Sequence, residues 1–163
     1  MKGFEIEIYR YYFLIANLVA IIILLISIKW PRAGRVLFSL LFAWACWMNW
    51  QTLLRTPQVY LEYADYTWSG AYRNFINGWF SRHIELAVGS IATCQGIIAL
   101  SMLLNSRIFR VGATGAVVFL LAISPLGMGS GFPATVTMAL ALIIILRKHS
   151  DNFIWRSHKT VVV

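Results

Sequence analysis

The amino-acid sequence predicts an all-α integral membrane bundle, with about five transmembrane helices and almost no water-soluble part. Three observations predict it. The 163 residues are 60% hydrophobic and only 12% charged, with mean hydropathy +0.71. Soluble domains carry about 25% charged residues, so half that charge cannot cover a soluble surface. The apolar residues gather in runs of membrane length. The net charge of +8 comes largely from short connectors between those runs. That is a membrane-orientation pattern, and it argues against nucleic acid as the partner. The length allows one membrane domain, residues 1–163.

The first span is 11–28, closed by Lys29-Trp30-Pro31. Eighteen helical residues reach roughly 27 Å, close to the hydrocarbon thickness. A cleaved signal peptide is the rival reading. Glu5 and Glu7 before the run, and no small-x-small site after it, favour a retained helix. The second span is 36–54, bounded by Pro31 and Gly34 before it and Pro57 after it. The third is 84–104, followed by a turn at Asn105-Ser106-Arg107. The last apolar stretch, 108–146, is too long for one span. Pro125, Gly127, Gly129, Gly131 and Pro133 interrupt it, which predicts helices at 108–124 and 133–147. A re-entrant last hairpin, leaving four spans, is the alternative.

Charge sets a direction. With five spans and the N-terminus outside, the inner connectors and tail carry Lys29, Arg32, Arg35, Arg107, Arg110, Arg147, Lys148, Arg156 and Lys159. The outer face carries Lys2, Arg10, Arg55, Arg73 and Arg82, together with Glu5, Glu7, Glu62 and Asp65. The positive-inside rule then places the C-terminus in the cytoplasm. The basic tail, 148–163, with Trp155, suits anionic headgroups. No targeting peptide is read, which fits a bacterial inner membrane.

The outer loop, 56–82, holds Tyr60, Tyr63, Tyr66, Trp68, Tyr72, Phe75, Trp79 and Phe80. Their spacing predicts two short interfacial helices joined near Ser69-Gly70. Membrane anchoring is one role for them, and a lid over a pocket is the other.

Polar residues within spans are the candidate functional residues. Glu85 is the only acid in a predicted span, and an ionisable group there is costly enough to need a reason. It either pairs with Arg55 or Arg82 to pin helix ends, or orients a ligand or proton. Asn49 and Gln51 lie near the outer end of the second span. Trp44, Trp47 and Gln51 recur at i, i+3, i+7 and share a face. Trp47 lies about midway across the span, where its ring could stack on a flat ligand such as a quinone head or pack on lipid or a partner. Gln95 reads as an interhelical hydrogen-bonding residue. Gly89 and Gly96 on its helix, with Gly112 and Gly115 on the next, read as close-packing sites. Cys46 and Cys94 lie in apolar runs and read as small fillers. His149 and His158 are too few and too far apart for a metal site, and no other metal or catalytic signature is evident.

The order of features over Val36–Leu146 resembles the DoxX-like group of small membrane proteins. It comprises a helix ending in an aromatic outer loop, Glu85 opening the next helix, Gly89 and Gly96 within it, then Arg107, Gly112 and Gly115. The resemblance implies a four-helix bundle and a tie to quinone-linked oxidoreductase systems. The first run adds a helix to that pattern, and the second lacks the family's usual Arg and Gly arrangement. Two functions follow as expectations. The first is a non-catalytic accessory subunit, packing on membrane partners or on copies of itself. The second is a redox-linked component that binds a quinone or other flat ligand through Trp47, Asn49, Gln51, Arg55 and Glu85. A small transporter ranks below both, because the spans hold one acid and no internal repeat.

Overall fold

A computed structural model describes residues 7–104 and 106–148. All regular structure in them is helical. Helix α1 is Glu7–Lys29 and α2 is Pro31–Arg55. A 3₁₀ segment, Pro57–Glu62, leads into α3, Tyr63–Tyr66. Helix α4, Gly70–Phe75, runs on into a π-helical turn, Ile76–Phe80. Helices α5, Ile84–Ser101, and α6, Ser106–Ile123, follow. A 3₁₀ segment, Ser124–Ser130, joins α6 to α7, Ala134–Arg147.

Four of these helices are long and apolar enough to cross a membrane, counting α6 with its 3₁₀ extension; α7 is apolar but has only 14 residues. The exposure pattern is the reverse of a soluble protein's. Leu14, Ile15, Leu18, Leu25, Trp44, Leu100 and Val111 lie on the surface, while Ser27, Arg35, Ser39, Gln95 and Ser101 are inside. Water penalises so large an apolar surface and hydrocarbon does not. Surface hydroxyls in the helices bond to their own backbone, as Ser90 does to the Leu86 carbonyl at 2.7 Å. That satisfies them without solvent.

The helices close a ring in the order α1, α2, α5, α6, α7 and back to α1. Helices α2 and α5 run antiparallel. Along their seam Arg35 meets Met102, Ser39 meets Ala99, Gly96 meets Cys46 and Gly89 meets Trp50. Of the glycines the sequence singled out, only Gly112 lies on the α5–α6 contact that the sequence suggested. Gly89 and Gly96 admit side chains of α2, whereas Gly112 admits Ser101 of α5 and Gly115 faces open space.

Helix α2 starts earlier than the hydropathy suggested. Pro31 fits its first turn, where a missing N–H costs nothing. This moves Arg35 from a connector into the helix, where it is fully buried. Its Nε donates to the Met102 carbonyl at 2.9 Å and its Nη2 donates to the Leu104 carbonyl. The guanidinium lies 4.0 Å from the Phe109 ring centre. The carbonyls left unpaired where α5 ends thus receive a cation, which the helix dipole favours there.

The 56–82 loop and the glycine-proline turn pack together at one end of the bundle, called here the loop end. Thr67 Oγ1 donates to the Pro125 carbonyl at 2.6 Å, and Tyr72 Oη donates to the Ala122 carbonyl at 2.6 Å. Trp68 meets Phe132 edge-on at 4.7 Å. Gly127 has φ +67°, and a Cβ there would lie 2.7 Å from the Tyr66 carbonyl oxygen. Only glycine combines that dihedral with that approach.

Candidate functional site

Two apolar cores form. One fills the ring around Phe38, Phe42, Phe109 and Leu142; the other gathers Leu53, Tyr60, Ile76, Phe80, Ile84 and Val88 at the loop end. Between them lies a cavity of about 360 Å³. Val88, Ile91 and Gln95 of α5 form one wall, and Phe119, Ala122 and Ile123 of α6 form another. Tyr60, Tyr63, Tyr72, Phe75, Ile76 and Phe80 close it from the loop, with Leu126, Gly129 and Ser130 from the turn. Asn49 reaches it from α2. The size and the apolar, aromatic lining suit a small-molecule pocket. Among the described residues, no charged side chain lines it.

One polar chain crosses this lining. Tyr60 Oη donates to Asn49 Oδ1 at 2.7 Å, and Asn49 Nδ2 donates to Gln95 Oε1 at 2.7 Å. With the amides so oriented, Asn49 accepts from the phenol on its oxygen and donates onward from its nitrogen. Every fully enclosed side-chain nitrogen or oxygen among the described residues has a partner. Gln95 is 5% exposed and lines the cavity, yet its Nε2 donates to nothing among them. That nitrogen is therefore not sealed in, and it belongs to a residue that lines the cavity.

Burial pushes the Tyr60 phenol above its ordinary pKa of 10.0, against a smaller downward pull from the Thr52 hydrogen bond. The Tyr63 phenol is also pushed up, first by burial and then by its charged neighbours Tyr60 and Glu62. Its ring rests where a Cβ on Gly129 would lie, 2.6 Å away. Glycine at 129 is what lets Tyr63 close the loop end of the cavity.

The structure brings together only part of the residues singled out in the sequence. Asn49 lies at the cavity, and it is joined by Gln95, which the sequence placed in helix packing. Gln51 is half-buried and is not part of the lining; Trp47 and Arg55 are exposed. Trp44 and Trp47 share an outward face, at 58% and 57% exposure. Glu85 is exposed in the first turn of α5, where the helix dipole favours a carboxylate. Neither of the suggested partners, Arg55 or Arg82, makes an ion pair with it. Phe119 lines the cavity without having drawn attention in the sequence, and Tyr60 and Tyr63 line it from the aromatic loop. Tyr60 and Tyr63 read there as interfacial aromatics, and the helical spacing of 60, 63 and 64 was the available signal that one side of this segment is buried. Among the described residues, no group of three or more His, Cys, Asp or Glu could hold a metal. Compared with known protein families, curated proteins and solved structures, the chain finds no match.

Proposed function

We propose that the chain is a small integral membrane protein that binds a flat, apolar molecule in the cavity between α2, α5, α6 and the loop helices. The single observation carrying this reading is an aromatic-walled cavity of about 360 Å³ whose lining includes the linked amides of Asn49 and Gln95. A quinone-like head fits that lining, and the DoxX-like resemblance leads to the same class.

Charge supports an orientation. The end away from the loop exposes Lys29, Arg32, Arg107, Arg110, Arg147 and Lys148, all basic. The loop end carries Arg10, Arg55, Arg73 and Arg82, offset by Glu62, Asp65 and Glu85. The positive-inside rule then puts the loop end outside and the C-terminus in the cytoplasm of a bacterial inner membrane. Five spans give this arrangement, with α7 as a short fifth one. Cysteines at Ser69 and Ser157, in a chain lacking Cys46 and Cys94, should label from opposite faces; Ser157 lies outside the described residues. Labelling from one face would reduce the spans to four.

Purification in native-lipid particles, followed by mass spectrometry of an organic extract, tests the ligand reading. A neutral apolar molecule should co-purify at near-equal stoichiometry. It should be lost in Ile91→Trp, which fills the cavity. Repeated extracts holding only bulk lipid would sink the reading. A second reading, an accessory subunit, draws on the outward Trp44–Trp47 face and on open Gly115. It requires a partner chain or a second copy to survive mild detergent, and a lone monomer would count against it.

A further inference from the structure

We infer that Gln95 is the recognition residue of the cavity, and that it selects neutral molecules whose polar end is a hydrogen-bond acceptor. The inference rests on the cavity being a ligand site and adds the chemistry of what enters. Tyr60 donates to Asn49, and Asn49 donates to Gln95. The terminal group, Nε2 of Gln95, can only donate. A ligand that answers it must offer an oxygen or nitrogen lone pair. A hydrocarbon cannot, and an ammonium would meet a donor with a donor.

Charge narrows the class further. Among the described residues no cationic side chain lines the cavity, so a carboxylate would be desolvated without a counter-ion from them. Carbonyl, ether and quinone oxygens cost far less to bury. Tyr60 and Asn49 act as positioning residues. Asn49 Oδ1 accepts from Tyr60 Oη at 2.7 Å, which leaves Asn49 Nδ2 facing Gln95. That in turn holds Gln95 Oε1 on Asn49 and leaves Nε2, on a residue that lines the cavity, as the unused donor. Gln95 is the twelfth residue of α5, so the donor lies roughly 16 Å along the helix from its first residue, near mid-span. The ligand's acceptor end therefore points inward, and its apolar body lies against Phe75, Phe80 and Phe119 toward the loop end.

Equilibrium binding to the full chain in nanodiscs, with three probes of one shape, tests this. The probes are fluorenone, with one carbonyl acceptor, fluorene, with none, and fluorene-9-carboxylate, an anion. Fluorenone should bind about tenfold more tightly than fluorene, the equivalent of one hydrogen bond of about 1.4 kcal/mol. The carboxylate should bind more weakly than either. Gln95→Leu should erase the fluorenone preference while fluorene still binds, and Tyr60→Phe should reduce it. Equal binding of fluorenone and fluorene by the unaltered chain would overturn the inference and leave the cavity reading standing. A preference that persists in Gln95→Leu would overturn the assignment to Gln95. Failure of all three probes to bind would remove the ligand reading itself. The comparison of probes on the unaltered chain needs no variant to fold.

Discussion

Replacing Arg35 with methionine removes a buried cation from the corner where α2, α5 and α6 meet. The side chain donates to the Met102 and Leu104 carbonyls and stacks on Phe109 at 4.0 Å. Methionine fills much of the same volume but donates nothing. Hydrogen bonds to a charged group contribute about 1.5–3 kcal/mol each, and a cation over a ring about 0.5–2 kcal/mol. Removing the cation also returns its desolvation cost, which is several kcal/mol. The two stranded carbonyls then cost about 1–3 kcal/mol each. The balance is a loss of about 2–4 kcal/mol. For a chain of this size that lowers the melting temperature by about 5–15 °C. Arg35→Lys should fall between, because an ammonium keeps the charge but not the planar fork or the ring stacking. The assay is thermal unfolding in detergent, followed by size exclusion of the soluble fraction. An Arg35→Met protein that melts within about 2 °C of its parent would refute the argument, since by the same scaling its carbonyls would have cost less than about 1 kcal/mol.

Gly112 and Gly115 provide a matched pair of tests on one helix. A Cβ on Gly112 would overlap the Ser101 side chain, while one on Gly115 meets nothing within 4 Å. Gly112→Ala should destabilise by about 1–3 kcal/mol through overpacking. Gly115→Ala should be neutral or gain up to about 1 kcal/mol from helix propensity; equal effects in the same unfolding assay would contradict the α5–α6 contact. The buried phenols set an alkaline limit on the loop. Folded pKa values above the unfolded 10.0 mean that the fold favours the protonated forms of Tyr60 and Tyr63. That stability is complete below pH 10 and is lost as pH rises through the higher folded values. Phenolate absorbance should therefore show a late component above pH 10 that moves back toward 10 on unfolding and shrinks in Tyr60→Phe and Tyr63→Phe. A titration with no late component would remove the burial argument.

Much of the fold is local chemistry, and local chemistry is legible in a sequence. Run length and composition mark the apolar helices, because a helix spends one residue per 1.5 Å and hydrocarbon tolerates few charges. Pro125 and the glycines at 127, 129 and 131 mark the turn, because their backbone preferences act within a few residues. The aromatic loop and its break near Ser69 follow from helical spacing. That the turn and the loop meet at one end follows from counting crossings.

What stayed hidden depends on register between distant segments. Arg32 and Arg35 are alike in sequence; only the packing of α2 against the end of α5 exposes one and buries the other. Asn49 and Gln95 are 46 residues apart, and the antiparallel seam of α2 and α5 decides that their amides touch. Tyr60 joins them because the loop folds back over the cavity. The sequence by itself determined that this chain forms apolar helices with a basic end and an aromatic end, since hydropathy and charge act residue by residue. Only the tertiary structure decided which polar side chains share a cavity, because side-chain contacts depend on helix rotation and offset, and neither is written in the spacing of a single helix.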